Sequence, residues 1–138
     1  MSFLFDTNAI SETFRRRPNE EFVSWLDSLP PEHQFTSIVV VGELFAGAYH
    51  SSATEKWLTR IEADVLPRLI VLDYDLRCAR EFGRIKAELQ AKGHPVADLD
   101  IQIAATALRH RLTLVTANKR HFEPIDGLTL TTFEPGAT

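Results

Sequence analysis

The feature that most restricts the fold is an alternation of short apolar runs with longer segments of helical spacing. Each apolar run has the length of a β-strand, and the segments between them carry apolar residues three or four positions apart. Strands separated by helices favour a parallel sheet, because neighbouring parallel strands need a crossover connection. The apolar runs lie at residues 3–5, 33–38, 69–72, 112–115 and 128–132.

The resulting order, β-α-α-β-α-α-β-α-α-β-β, predicts an α/β fold: a three-layer α/β/α sandwich with a mostly parallel central sheet. The 138 residues are expected to form a single domain, residues 1–138, large enough to bury a core without disulfides. The continuous run Leu69–Leu72 has the pattern of an interior strand buried on both faces. Helices are predicted at 39–49, 52–66 and 75–91, and a loose Pro-Gly tail is expected after residue 132.

Composition excludes several classes of protein. The apolar fraction of 44% and the charged fraction of 25% are ordinary for a globular domain. The single cysteine, Cys78, cannot form an internal disulfide, which favours a reducing compartment. Asp6 interrupts the first apolar run too early for a signal peptide or a membrane span, so a cytoplasmic protein is expected. The formal charge of −4 argues against bulk attraction to nucleic acid or to anionic membranes.

Polar residues follow two of the predicted strands where each strand ends. Asp6 ends the first run, and Thr116 and Asn118 follow the run that ends at Val115. In an open parallel sheet, ligands bind outside the carboxyl ends of the strands, so Asp6 is a candidate site residue. The alternative is that Asp6 only caps the helix that follows.

Three further acids belong to predicted helices. Glu43 lies near the apolar side of the helix at 39–49, although an exposed helix glutamate is an equal alternative. Asp100 begins the apolar stripe of a later helix that starts near Asp98. Asp98 is either a further ligand or an ordinary acid of the first helical turn.

These acids are predicted to meet at one edge of the sheet. A cluster of carboxylates repels itself and stays ionised only with a cation nearby. Oxygen ligands without cysteine or a regular histidine pair favour Mg²⁺ or Mn²⁺ over zinc. Such an ion can orient a water molecule, lower its pKa and stabilise the charge that develops on a phosphodiester.

At these positions the chain resembles the PIN-domain ribonucleases, and more narrowly the VapC-type toxins of bacterial toxin–antitoxin pairs. Four short motifs in the same order carry the resemblance, which covers nearly the whole chain. They are Phe5-Asp6-Thr7-Asn8, Ser37 through Gly42-Glu43-Leu44, Asp100-Ile101-Gln102-Ile103-Ala104-Ala105, and Leu114-Val115-Thr116-Ala117-Asn118 with His121-Phe122.

The resemblance implies a Mg²⁺- or Mn²⁺-dependent endoribonuclease that forms a homodimer. It also implies a cognate antitoxin whose C-terminal segment covers the acidic pocket, often with an arginine among the carboxylates. Asp6, Glu43 and Asp100 match the family's three acidic positions and are expected to hold the metal, directly or through water. Asn118 stands where many members have a fourth acid, which puts a second metal in doubt, and Asp98 is the residue that could compensate.

Other roles stay open at the level of sequence. The hydroxyls of Thr7, Ser37 and Thr116 either fix the attacking water or a carboxylate, or serve as caps. The arginines of Arg15–Arg17 are either a solvated helix end or a phosphate contact. A non-catalytic module that binds antitoxin or nucleic acid is the main alternative function, and a phosphohydrolase of small phosphoesters is a weaker one.

Overall fold

A five-stranded, wholly parallel sheet forms the centre of the structure, a computed structural model that describes residues 1–137. The predicted α/β fold with helices flanking a mostly parallel sheet is therefore confirmed, and every described strand pair is parallel. The strand order is β3-β2-β1-β4-β5. The strands are β1 (Phe3–Phe5), β2 (Gln34–Ser37), β3 (Ile70–Leu72), β4 (Thr113–Thr116) and β5 (Leu130–Thr132).

The first strand occupies the middle of the sheet because its residues are apolar on both faces. Leu4 is fully buried and pairs with Phe35 of β2 on one side and Leu114 of β4 on the other. The backbone N–H of Asp6 then donates to the carbonyl of Val115 over 3.1 Å. This register brings the carboxyl ends of β1 and β4 to the same edge of the sheet.

Seven α-helices connect the strands within residues 1–137. Side-chain caps begin several of them: Asp6, Asn19, Ser37 and Asp75 each accept the N–H three residues later. The helices are α1 (Thr7–Glu12), α2 (Glu20–Ser28), α3 (Ile38–His50), α4 (Thr54–Arg60), α5 (Leu76–Lys92), α6 (Asp98–Arg109) and α7 (Lys119–Phe122).

The second half of α6 consists largely of small residues that pack in the core on all sides. Ala104, Ala105 and Ala107 are completely buried, together with Thr106. Small side chains allow close packing of a helix on its neighbours, and they hold the axis of α6 steady. The first turn of α6, which carries Asp100, is thereby fixed relative to the rest of the fold.

The prediction that residues 69–72 form an interior strand is wrong. β3 lies at one edge of the sheet and pairs only with β2. Ile70 is accordingly 43% exposed. A continuous apolar run shows that a strand is partly buried, but the number of its neighbours depends on the strand order, which local sequence does not encode.

The single helix predicted at 52–66 is interrupted in the structure. α4 ends at Arg60, a turn of π-helix follows at Ile61–Val65, and a 3₁₀ turn closes the segment at Leu66–Arg68. Pro67 lies within the 3₁₀ turn and provides no backbone N–H, so the helical hydrogen bonding cannot continue.

Two features near the end of the described chain differ from expectation. The short α7 lies between β4 and β5, where no helix was predicted; the parallel pairing of these strands requires a crossover. The tail after residue 132 is not loose, because Ala137 forms an antiparallel bridge with Arg17. Within the described chain, no helix is both long and apolar enough to cross a lipid bilayer.

Candidate active site

The carboxylate of Asp6 lies at the point where β1 passes into α1. Its Oδ1 accepts the backbone N–H of Ala9 over 2.8 Å, so Asp6 is the N-cap of α1. The residue is only 4% exposed. A helix cap is normally solvated, and a buried one that has further acidic neighbours also fits a ligand site. Asp6 can therefore be both a helix cap and a site residue, because only its Oδ1 caps the helix.

The surroundings of Asp6 disfavour its charged form. Burial is the largest influence, and the negative charges of Asp100 and Glu43 act in the same direction. The Thr116 hydroxyl and the Ala9 N–H stabilise the carboxylate and oppose this change. The net effect raises the pKa of Asp6 from 3.8 to about 6. Asp100 and Glu43 are thus each close enough to Asp6 to disfavour its negative charge.

Glu43 projects from the middle of α3 and is held by a hydroxyl. Thr7 Oγ1 donates to Glu43 Oε1 over 2.6 Å, which joins α1 to α3. Ser37 fixes the start of α3, because its Oγ accepts the N–H of Val40 over 3.1 Å. Of the three hydroxyls with open roles, Thr7 orients a carboxylate, Ser37 is a helix cap, and Thr116 stabilises the carboxylate of Asp6.

The two acids at the start of α6 have different partners. Asp100 lies 3.3 Å from Nδ1 of His121, measured at its Oδ2, and its side chain is 24% exposed. Asp98 pairs instead with Lys86 over 2.7 Å, and its side chain is 60% exposed. The structure therefore brings Asp100 toward Asp6 and directs Asp98 to α5.

Thr116 and Asn118 follow β4 at the same edge of the sheet. Thr116 is completely buried, and its Oγ1 accepts the backbone N–H of Asn118 over 2.9 Å. Asn118 precedes the first turn of α7, and its exposed side chain makes no capping hydrogen bond. The side-chain amide of Asn118 is therefore available to a ligand. The hydroxyl of Thr116 stabilises the carboxylate of Asp6.

The donor set fits a hard divalent cation by its chemistry. Asp6, Glu43 and Asp100 offer only oxygen ligands. Burial, and to a smaller extent the charges of Asp100 and Glu43, raise the pKa of Asp6, and a bound cation would oppose this shift. Across residues 1–137, however, no three acidic, histidine or cysteine side chains are grouped closely enough to hold one ion as they stand. The carboxylate of Glu43 accepts a hydrogen bond from Thr7, and that of Asp100 contacts His121. Both side chains can redirect their carboxylates by changing from one staggered rotamer to another.

Comparison with known proteins places this arrangement in a family. The model of the PIN domain matches residues 3–128. The chain belongs to the PIN-domain family, among its VapC-type ribonuclease toxins. It is 38% identical to the tRNA(fMet)-specific endonuclease VapC of Salmonella typhimurium and 37% identical to ribonuclease VapC2 of Haemophilus influenzae, and both matches cover 93% of this chain and 95% of the relative. The crystal structure of FitAcB from Neisseria gonorrhoeae superimposes with a TM-score of 0.86 at 34% identity, covering 93% of this chain and 95% of that one.

An apolar cavity of about 470 Å³ opens beside Glu43 in this PIN domain. Thr7 and Glu43 border it at one side, and Arg15 and Arg16 line it as well. A second cavity of about 600 Å³ lies between α2 and the π-helical turn, and Phe14 contributes to both. The apolar walls of the first cavity are formed by Phe14, Leu44, Ala48, Trp57 and Ile61.

Two features of this PIN domain were not predicted from the sequence. His121 contacts Asp100, a role that its position three residues after Asn118, at the carboxyl end of β4, could have indicated. Glu12 is 1% exposed, although it looks like an ordinary helix acid in the sequence. Besides the nearby Arg15 and Asn19, Glu12 binds Gly136 near the end of the described chain, a partner that no local pattern identifies.

Proposed function

We propose that this VapC-type ribonuclease cleaves RNA at a site formed by Asp6, Glu43 and Asp100 and that it requires Mg²⁺ or Mn²⁺. The observation that supports this most directly is the buried Asp6, whose negative charge is opposed by two further acids. Such an arrangement is unfavourable for the apoprotein and becomes favourable when a cation binds. When bound, the ion supplies positive charge for the phosphodiester and lowers the pKa of a water molecule.

Each residue of the chain has a separate role in this proposal. Asp6 is the fixed ligand, because the N–H of Ala9 and the sheet hold it in place. Glu43 and Asp100 complete the oxygen set after they turn from Thr7 and His121. Thr116 orients Asp6, and the exposed amide of Asn118 hydrogen-bonds an RNA oxygen or the attacking water. The neutral Asn118 contributes no charge, which favours one tightly held ion over two.

The first RNA to test is transfer RNA. The Salmonella typhimurium relative is named for tRNA(fMet), and 38% identity over 93% of this chain supports a substrate of the same class. Cleavage by such an enzyme needs an accessible loop, because protein side chains read unpaired bases far more easily than A-form duplex. We therefore propose a tRNA loop as the substrate region.

The experiment is RNA cleavage by purified, antitoxin-free protein in Mg²⁺ or Mn²⁺ against EDTA. Asp6→Asn removes one charge from the site, and Asp73→Asn removes one from an exposed position after β3 as the matched control. We expect cleavage that requires the metal, is lost in Asp6→Asn and persists in Asp73→Asn. Binding of RNA without turnover under all conditions would instead support the non-catalytic module.

We also propose that an antitoxin segment occupies the two cavities that meet at Phe14. The apolar walls of the cavities suit the apolar side chains of an amphipathic segment. The carboxylate of Glu43, which borders the first cavity, suits an arginine at the end of that segment. Gly47 lines the first cavity, and a Cβ placed there meets no atom within 4 Å.

Gly47→Leu therefore fills the cavity without disturbing the core. Gly83→Leu is the matched control, because Gly83 is also a helical glycine with open space around it. With a coexpressed candidate antitoxin, we expect complex formation to weaken in Gly47→Leu only. Equal complex formation by both variants would indicate that the antitoxin binds to another surface.

A homodimer is the remaining part of the proposal. Three large apolar side chains in first helical turns are exposed: Ile38 by 44%, Leu76 by 85% and Leu99 by 48%. We propose that they contribute to one apolar patch that is covered in the dimer, because contiguous exposed apolar patches mark interfaces. Light scattering of the purified protein tests the dimer, and Leu76→Glu is expected to shift it toward the monomer.

A further inference from the structure

The tail at residues 133–137 is joined to the turn that follows α1. The Arg17 N–H donates to the Ala137 carbonyl over 3.2 Å, and the Ala137 N–H donates to the Arg17 carbonyl over 2.9 Å. Asn19 Nδ2 donates to the Glu134 carbonyl over 2.8 Å. The Phe133 ring stacks on Phe22 with 4.1 Å between centroids. We call residues 133–137 and their partners at 12–19 the clasp.

Glu12 is the centre of the clasp. Its Oε2 accepts the N–H groups of Asn19 over 2.7 Å and of Gly136 over 2.8 Å, and its Oε1 accepts Arg15 Nε over 3.0 Å. A carboxylate buried to 1% exposure is unfavourable unless such donors compensate it. Glu12 thus holds Arg15 and Asn19 of the turn, and Gly136 of the tail, in one arrangement.

Gly136 is required because the backbone approaches too closely for a side chain. A Cβ there would lie 2.1 Å from the carbonyl oxygen of Arg17 and 2.7 Å from the nitrogen of Asn19. The tail can therefore lie against the turn only with glycine at this position.

The clasp gives the three arginines of the turn different roles. Arg15 binds Glu12 and donates to the Gly136 carbonyl over 3.3 Å, so its guanidinium is already used. The backbone of Arg17 belongs to the bridge with Ala137. Arg16 is exposed, pairs with no side chain among residues 1–137, and lines the cavity that Thr7 and Glu43 border.

We propose that Arg16 binds a phosphate of the RNA strand at the carboxylate site, and that Glu12 and the tail are positioning residues for it. This inference rests on the proposed ribonuclease activity, since it assigns a contact to the same substrate. The acids of the site repel a phosphodiester, and the chain as a whole carries a formal charge of −4. A guanidinium in the cavity that Glu43 borders offsets that repulsion and pairs with phosphate through two hydrogen bonds.

The first test measures binding separately from cleavage. The Asp6→Asn protein, without metal, is titrated into a fluorescein-labelled tRNA at several salt concentrations. Adding Arg16→Ala is expected to raise the Kd about tenfold, as for one lost charge-assisted hydrogen bond. It should also flatten the plot of log K against log salt by about 0.7, the contribution of one phosphate on a single strand. Arg80→Ala, which removes an exposed charge from α5, is expected to change neither quantity.

The second test separates positioning from catalysis. Glu12→Gln and Gly136→Ala disturb the clasp from opposite sides, and circular dichroism checks that each variant folds. We expect both to raise KM for RNA several-fold while kcat stays near that of the wild type, because Arg16 moves and the carboxylates do not. The binding test of Arg16 does not depend on either variant folding.

Three results would overturn the proposal. Arg16→Ala could bind RNA as tightly as Arg80→Ala does, or Arg17→Ala could lose as much binding as Arg16→Ala. RNA binding could also stay unchanged in Arg16→Ala while antitoxin binding weakens, which would assign Arg16 to the protein partner. A wild type that binds RNA through Arg16 but never cleaves it would refute the proposed function and leave this contact standing.

Discussion

The hydroxyl of Thr7 donates a 2.6 Å hydrogen bond to Oε1 of Glu43, and so joins the first turn of α1 to the middle of α3. This bond holds one acid of the candidate site in a defined position beside the cavity. It also means that Glu43 must exchange or share this partner when a cation binds. In the proposed metal-dependent cleavage, Thr7 is therefore a positioning residue that acts through Glu43.

Replacing Thr7 by valine is expected to lower kcat/KM for RNA about tenfold, the effect of one lost hydrogen bond to a charged group. Valine keeps the shape of threonine but leaves Glu43 without its donor. Thr7→Ser keeps the hydroxyl and should retain most of the activity. Steady-state cleavage of a tRNA by the three proteins checks this, and equal rates for serine and valine would contradict it.

Asp6→Asn is expected to stabilise the metal-free protein at neutral pH. Folding raises the pKa of Asp6 from 3.8 to about 6, so the folded state binds the proton more tightly than the unfolded state. The group therefore contributes stability below pH 4 that is lost as the pH rises through 6, about 3 kcal/mol in all. Asparagine keeps the cap of α1 and avoids this loss.

Urea unfolding at pH 4 and pH 7.5, in EDTA, measures the difference between wild type and Asp6→Asn. The variant should be more stable by up to about 3 kcal/mol at pH 7.5 and similar in stability at pH 4. A variant that is less stable than the wild type at pH 7.5 would show that the carboxylate is compensated in the apoprotein.

Magnesium is expected to raise the melting temperature of the wild type at pH 7.5 and to have little effect at pH 5, where Asp6 is largely protonated. EDTA should reverse the effect. Because Asp98 pairs with Lys86 and Asp100 lies near Asp6, Asp100→Asn should reduce this metal response far more than Asp98→Asn. An equal loss of the metal response in both variants would indicate that Asp98 contributes to metal binding as much as Asp100 does.

Gly136→Ala is expected to destabilise the fold by about 1–3 kcal/mol, as for other overpacked sites. The added methyl group would meet the Arg17 carbonyl at 2.1 Å, so the tail must move away from Glu12. Gly83→Ala on α5 serves as the control, since it should stabilise the helix by about 0.5–1 kcal/mol. Thermal unfolding of both variants and of the wild type measures these changes in stability.

Features that depend on local spacing could be predicted from the sequence. The first strand ends just before Asp6 as expected, and Glu43 falls inside a helix because Val40, Leu44 and Ala48 keep helical spacing. The electrostatic proximity of Asp6, Glu43 and Asp100 follows from the parallel topology. Their roles as metal ligands, and that of Asn118, remain predictions.

Features that depend on distant residues could not be predicted. Glu12 and Gly136 are 124 positions apart, so nothing near either residue indicates that the tail is held. The edge position of β3 depends on which strands pair, and the partner of Asp98 lies on another helix. In each case a pattern read over a few residues gives the type of element but not its neighbours.

The central position of β1 has a consequence for how the nuclease acquires its activity. Asp6 directly follows β1, but the second neighbour of this strand, β4, begins only at Thr113. A nascent chain that ends before this point exposes one side of β1 and lacks Thr116 and Asn118. Residues more than a hundred positions after Asp6 are therefore needed before β1 is paired on both sides, so the candidate site is complete only once β4 has joined the sheet.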